Sequence, residues 1–399
     1  MIWLKYSSAY LLVAAMMAIA GVGSYFYYGG ALPSPPNGGQ PQPGKCHLFQ
    51  MSAADVEAYG FYYPVTFTFS IPSGSASLKA LYHYVSTDWS QLPERQSKDF
   101  FNGEDVVRFD YAGNRAYVSV GFKGQTDLYI KITDSQSLDI ETAYLQVAKY
   151  YDNRHCAVTS HHDDYGISGG HLALIEEFQK RKLWYGCAVV TSSPDWASLQ
   201  TQVNEGYVEV ESHSVNHPYI NKLSDSEAWN QIQGSRDAIL SHINNMPYGQ
   251  YVLAFIFPYS SMGDRERNYV GKANYIVEEA DVALAGTDPS VQQYETWYVV
   301  TYNGESHGVF PAIFSADMGT HGGANSLDLN WLNSQFDQAY SAEAIYEVRT
   351  HPTTVDIGAS YCQGHLNYIS GRTDCWYAPL GHIYAYHYVA LFVQHSEVS

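Results

Sequence analysis

Positive charge is scarce in this chain. There are 21 lysines and arginines against 40 aspartates and glutamates, a formal net charge of −19. Nucleic-acid binding needs a basic footprint, so the composition argues against that class of partner. It also disfavours adhesion to an anionic lipid surface, and it says nothing about the fold. Cysteine is scarce too. Only Cys46, Cys156, Cys187, Cys362 and Cys375 are present, and no two of them form a Cys-x-x-Cys pair. A structural zinc site built from thiolates is therefore not expected. The odd number leaves at least one thiol free or paired between chains. Cys362 and Cys375 flank a short loop and are the expected disulfide, whereas Cys156 and Cys187 lie in apolar runs that suit buried free thiols. Cys46 has no lipobox-like run before it. There is no repeat of fixed period and no charged low-complexity tract.

What the chain does have is aromatic mass and a leader. Its 36 tyrosines and 8 tryptophans serve mainly core packing and strand propensity, with weak support for stacking on sugar rings. The 399 residues leave room for two or three domains at roughly 100–200 residues each. Residues 1–30 carry one lysine, Lys5, and then an apolar run from Leu11 to Ala20. Ala18-x-Ala20 resembles a signal-peptidase site. Apolar character continues to Tyr28, so the stretch from Ala9 reaches the ~20 residues of a spanning helix. Residues 1–30 thus read as a signal peptide or a signal-anchor helix. Either puts the remainder outside the cytoplasm: extracellular, periplasmic or at the cell surface, with a possible membrane tether. Residues 31–45 are a Pro/Gly linker that cannot bury a core.

Residues 46–152 read as β. Val65–Ser70, Ala116–Phe122 and Asp127–Ile132 alternate, and turn signals such as Pro72-Ser73-Gly74 separate them, as in a small β-sandwich. Its expected part is that of a spacer or packing partner, with sugar binding as the other reading. From 153 to 399 strands alternate with helices. Strand-like runs are Ala157–Ser160, Cys187–Val190, Tyr207–Val210, Val252–Phe257, Val282–Ala285 and Ala344–Arg349. Helical stretches are His171–Lys182, Asp195–Glu205, a helix opened by the capping box Ser224-x-x-Glu227, and Asn268–Ala280. Such alternation implies a parallel sheet or an α/β barrel.

Distinctive polar residues follow those strands. Asp163 and Asp164 follow the first, His213 and His217 follow Tyr207–Val210, Tyr259 follows Val252–Phe257, and His351 follows Ala344–Arg349. In α/β barrels the site is assembled at the C-terminal strand ends. Two histidines four apart fall on one side of a helical turn. Two His and a carboxylate are a common ligand set for a catalytic metal with open positions.

With these residues the chain resembles the polysaccharide deacetylases of carbohydrate esterase family 4, the NodB-type domain. His161-His162-Asp163-Asp164 occupies the first motif. His213-Ser214-Val215-Asn216-His217-Pro218 matches the second fully, Pro258-Tyr259 ends the third, and His351 is the candidate for the last. The resemblance covers roughly His155 to Gln394. It implies a distorted (β/α) barrel preceded by the small all-β domain. It implies that Asp164, His213 and His217 bind a divalent metal, with zinc as the expected ion. Asp163 would be the base that deprotonates water, the backbone N–H of Tyr259 would face the oxyanion, and His351 would be the acid for the leaving group. The expected activity is removal of N-acetyl, or O-acetyl, groups from a polysaccharide.

The chain departs from the pattern in two places. His161-His162 stands where the first motif has Thr-Phe, which offers two imidazoles to substrate or metal. Ile256 stands where the third motif has an arginine that orients the base, leaving Arg265 or Arg267 as candidates to replace it. The loop 287–329, with His307, Asp317 and His321, suits a substrate-facing loop or a merely solvated one. Two rival functions are kept: a non-catalytic carbohydrate-binding protein on the same fold, and a metal-dependent hydrolase of a small non-sugar amide.

Overall fold

The computed structural model describes residues 46–96, 103–280 and 296–398. The leader 1–30, the linker 31–45 and the expected strand Val282–Ala285 lie outside the described residues. Among those described, no helix is long and apolar enough to cross a membrane.

The first part is two antiparallel sheets. Its strands are β1 (Cys46–Gln50), β2 (Val65–Ser70), β3 (Lys79–Tyr84), β4 (Ser90–Gln91), β5 (Val106–Asp110), β6 (Arg115–Val120), β7 (Asp127–Thr133) and β8 (Ala143–Val147). One sheet contains β1-β7-β3-β4 in that order and the other β5-β6-β2-β8. Phe49, Phe67, Val118, Leu128 and Ile130 are completely buried, as alternation with a half-buried face demands.

The second part is built on β9 (Cys156–Tyr165), β10 (Tyr185–Val189), β11 (Val208–Ser212), β12 (Ala254–Ile256), β13 (Val277–Glu279), β14 (Tyr298–Tyr302), β15 (Glu305–Ala312), β16 (Ala316–Asp317), β17 (Ile345–Thr350) and β18 (Cys375–Tyr377). The order is β14-β15-β13-β12-β11-β10-β9-β17-β16, with β18 also against β9. All these pairs are parallel except the β14–β15 hairpin. The sheet curls into a distorted barrel. Glu279 on β13 lies 3.0 Å from His161 on β9 although β10, β11 and β12 separate their strands. Gly186 on β10 is required by the close approach of its neighbours: a Cβ there would come within 2.3 Å of Glu211 Oε1 on β11 and 2.4 Å of the Ser160 carbonyl on β9.

The two parts share a core. Trp376 Nε1 donates to Tyr63 Oη at 2.8 Å, and Tyr386 Oη donates to the Ala148 carbonyl at 2.8 Å. The terminal strand β19 (Gln394–Val398), which the sequence places with the catalytic segment, pairs antiparallel with β1.

Three local expectations are corrected. Asn268–Ala280 is not one helix: the helix is Asp264–Lys272, and Val277–Glu279 is a strand. Asn274 is left-handed (φ 61°), and the Tyr275-Ile276-Val277 run that follows has strand propensity. Cys375 does not face Cys362. It is the register partner of Cys156, with the sulfurs 3.4 Å apart as thiols, and Cys362 is buried alone. Finally, β9 continues to Tyr165, so Asp163 and Asp164 are in the strand and not after it.

Candidate active site

Strand alternation decides which of His161, His162 and Asp163 face inward; Asp164, left-handed at φ 76°, departs from it. His162 points away from the barrel interior. Its Nδ1 lies 2.7 Å from Thr350 Oγ1, its Nε2 2.9 Å from Ser160 Oγ, and its ring stacks on Tyr185 at 3.8 Å. Burial holds this imidazole well below its ordinary pKa, so it is a neutral packing residue. The expectation that it meets substrate or metal is corrected. His161 and Asp163 face inward and line, with Asp164, a pocket of about 370 Å³ at the C-terminal end of the strands. That is the end where barrel sites form.

His213 and His217 do not sit on a helical turn, as their spacing predicts. They lie on a loop bent by two left-handed residues, Ser214 (φ 69°) and His217 itself (φ 60°). The loop is held by its neighbours. His217 N–H donates to Ser214 Oγ at 3.0 Å, and Gln231, from the helix Asp225–His242, accepts from Val215 and Asn216 N–H at 3.1 Å each. That helix begins with the expected capping box of Ser224 and Glu227.

Three side chains converge beside the loop. Asp164 Oδ1 is 3.2 Å from His217 Nε2 and 3.6 Å from His213 Nε2. It is buried and has no hydrogen-bond partner. His213 Nδ1 lies 2.9 Å from the Ile256 carbonyl, an acceptor only. Nδ1 therefore carries the proton, and the Nε2 lone pair is directed at Asp164. Donor atoms around a tetrahedral zinc stand about 3.4 Å apart, so these three fit a divalent cation. Burial would raise the Asp164 pKa, but His213 and His217 hold it below the carboxylate range.

Asp163 is 5% exposed. Burial would raise its pKa, yet His213, His161, Arg349 and His351 together keep it well below the ordinary value. Its Oδ2 is 3.6 Å from His351 Nε2. Burial, opposed by Asp163, lowers His351 to about 4. Tyr259 is left-handed (φ 55°) and 55% exposed. Its ring meets His217 edge-on at 4.5 Å and stacks on Tyr219 at 4.2 Å.

Neither arginine proposed to orient Asp163 does so. Arg265 bonds the carbonyls of Leu223 and Ile220, at 3.0 and 3.2 Å, and Arg267 Nε donates to Glu278 at 2.7 Å. The arginine at the pocket is Arg349 on β17, whose Nη2 donates to Asp317 at 2.6 Å. Asp317 also pairs with His321 Nδ1 at 2.7 Å, and the His321 ring stacks on His351 at 4.0 Å. Of the loop residues singled out by sequence, His321 thus reaches the pocket wall, with Asp317 paired to it from behind. His307 lies on the β14–β15 hairpin, 3.6 Å from Glu305.

The sequence reading missed Glu279 and Glu347. Both are fully buried beneath the pocket, each with an oxygen 3.0 Å from His161 Nδ1. Burial pushes both up to about 8. The available signal was a charged residue inside an otherwise apolar strand.

A sequence profile described as polysaccharide deacetylase matches residues 157–277. That segment is of the polysaccharide deacetylase family, as the motifs imply. A search of curated proteins returned no match. Among solved structures, a family 4 carbohydrate esterase from Streptomyces lividans is similar at 15% identity, over 54% of this chain and 86% of that one, with a TM-score of 0.33. The peptidoglycan deacetylase PdaC from Bacillus subtilis gives 16% identity over 60% and 94%, with a TM-score of 0.38. A Puue allantoinase gives 14% over 58% and 90%, with a TM-score of 0.44.

Proposed function

We propose that this protein is an exported, metal-dependent deacetylase that removes N-acetyl, or O-acetyl, groups from a polysaccharide. The observation that carries the reading is the convergence of Asp164, His213 and His217 beside a buried Asp163 and His351 in one pocket. Asp164, His213 and His217 would hold the divalent ion, with zinc as the expected one. Such an ion supplies Lewis acidity: it acidifies water and polarises an acyl carbonyl. Asp163, ionised at neutral pH, takes the proton of the attacking water. His351 is neutral in the resting site. Its Nε2 lies 3.6 Å from Asp163 Oδ2, so the proton taken by Asp163 can pass to the imidazole and on to the leaving amine or alcohol. Tyr259 lines the pocket, and its backbone N–H would face the oxyanion.

A sugar polymer is favoured over a small amide by the pocket mouth. Tyr219 and Tyr259 are about half exposed and stacked on each other, a platform for the apolar face of a pyranose ring. The leader composition supports export, and an uncleaved leader would tether the protein to a membrane. Acetate release from a panel of acetylated glycans, measured with metal analysis, tests the reading. A metal-free protein that releases no acetate, even after zinc is supplied, rules it out. Release only from small amides would select the rival hydrolase. Sugar binding without release would select the non-catalytic one.

A further inference from the structure

We propose that His161 is the positioning residue of the site: its Nδ1 is anchored by Glu347, and its Nε2 closes onto Asp163 Oδ1 as the site tightens. The role in turnover rests on the deacetylase reading; the hydrogen-bonded relay itself does not.

The argument starts from unsatisfied atoms. His161 is 1% exposed. Its Nε2 and Asp163 Oδ1 are both buried without a hydrogen-bond partner, and they face each other at 3.8 Å. That gap is too long for a hydrogen bond and too short to hold a bridging water. A buried donor and acceptor left unmade forfeit the hydrogen bonds each would make to water. A movement of under about 1 Å removes that cost, and catalytic contacts often tighten in this way on substrate binding.

Proton placement follows from the other nitrogen. Nδ1 stands 3.0 Å from Glu347 Oε1 and 3.0 Å from Glu279 Oε2. If a protonated glutamate donates to Nδ1, the ring proton is on Nε2. If Nδ1 donates instead, a bare Nε2 would set its lone pair against a carboxylate oxygen in a buried site. The tautomer with its proton on Nε2 avoids that repulsion. In that tautomer Nε2 presents N–H to Asp163. The other Asp163 oxygen faces His351 at 3.6 Å. The two histidines therefore divide the carboxylate: His161 fixes one oxygen and leaves the other for proton transfer. Arg349, whose Nη2 is on Asp317, adds positive charge near the same carboxylate.

Two experiments test the relay on the full chain. In kinetics with an acetylated oligosaccharide, His161→Ala should lower kcat by roughly 10–100-fold, the usual effect of losing a residue that orients a working group. KM and bound metal should stay within about twofold, and Glu347→Gln should give a smaller loss in kcat. His161→Gly with added imidazole should recover part of the activity. Unchanged kcat in His161→Ala, or a loss confined to KM, overturns the proposal. In NMR of the ring-labelled protein, His161 should show a slowly exchanging Nε2–H that shifts in Asp163→Asn. Absence of that proton in the wild type overturns the relay even if the protein proves not to be a deacetylase, so the two failures are distinguishable.

Discussion

At the scale of single residues, the adjacent carboxylates of β9 have different partners and should fail differently. Asp164→Asn or His213→Ala removes a donor from the cluster. Loss of a mere outer partner of a metal ligand costs 10–100-fold in affinity; loss of a ligand should cost more. Titration with zinc against a competing chelator should therefore show affinity falling by more than about 100-fold. Asp163→Asn keeps all three donors. It should retain metal within about twofold while acetate release drops by roughly 10²–10⁴-fold, the range for a lost general base. If Asp163→Asn abolished metal binding instead, the division of labour between the two aspartates would be wrong. The convergence of His213 and His217 was legible in the sequence, because they form one compact motif. The fate of the preceding imidazoles was not. His161 and His162 are adjacent and identical in type, and only the phase of the strand decides that one is at the pocket floor and the other stacks on Tyr185.

At the scale of elements, β9 is the organising strand, flanked by β10, β17 and β18. Its apolar start and the strand–helix rhythm after it made the barrel legible. What was hidden is what the strands bring across the interior. Glu279 on β13 and Glu347 on β17 are 68 positions apart in sequence and meet at His161 only because the sheet closes. Nothing local marks their direction. The His213–His217 loop was misread as a helical turn because the same spacing is reached through two left-handed residues. Two substitutions separate support from chemistry at this scale. Ser224→Ala removes a capping box on an exposed helix end, with an expected loss of about 1 kcal/mol in urea unfolding and unchanged catalysis. Gly186→Ala drives a methyl against the Ser160 carbonyl beneath the site. It should cost more than the cap, since backbone must shift, and lower kcat as well, because the displaced strand is the one that carries Asp163.

At the scale of the whole molecule, burial of ionisable groups shapes stability against pH, and two sets oppose each other. Burial lowers His171 and His387 to about 4, and His365 and His382 to about 3. Unfolding returns them to 6.5, so below that pH the unfolded chain binds more protons and stability falls as pH falls. Burial raises Glu209 to about 7, and Glu279 and Glu347 to about 8. Their unfolded value is 4.5, so their contribution is complete below 4.5 and is lost as pH rises to about 8. Between 4.5 and 6.5 the two sets pull in opposite directions and largely offset. Above 6.5 only the glutamates still titrate; below 4.5 only the histidines do, joined by Asp163 and Asp164, whose depressed pKa values add to the acid loss. The expected profile is a plateau from pH 4.5 to 6.5 with a fall on either side. Urea midpoints of the chelator-treated protein at pH 4, 5.5, 6.5 and 8.5 should trace it. Glu347→Gln, which removes one raised carboxyl, should flatten the alkaline fall and leave the acid limb in place. A midpoint that rises steadily from pH 6.5 to 8.5 would mean that these glutamates are ionised in the folded protein, with a counter-charge other than His161 and Arg349 holding them.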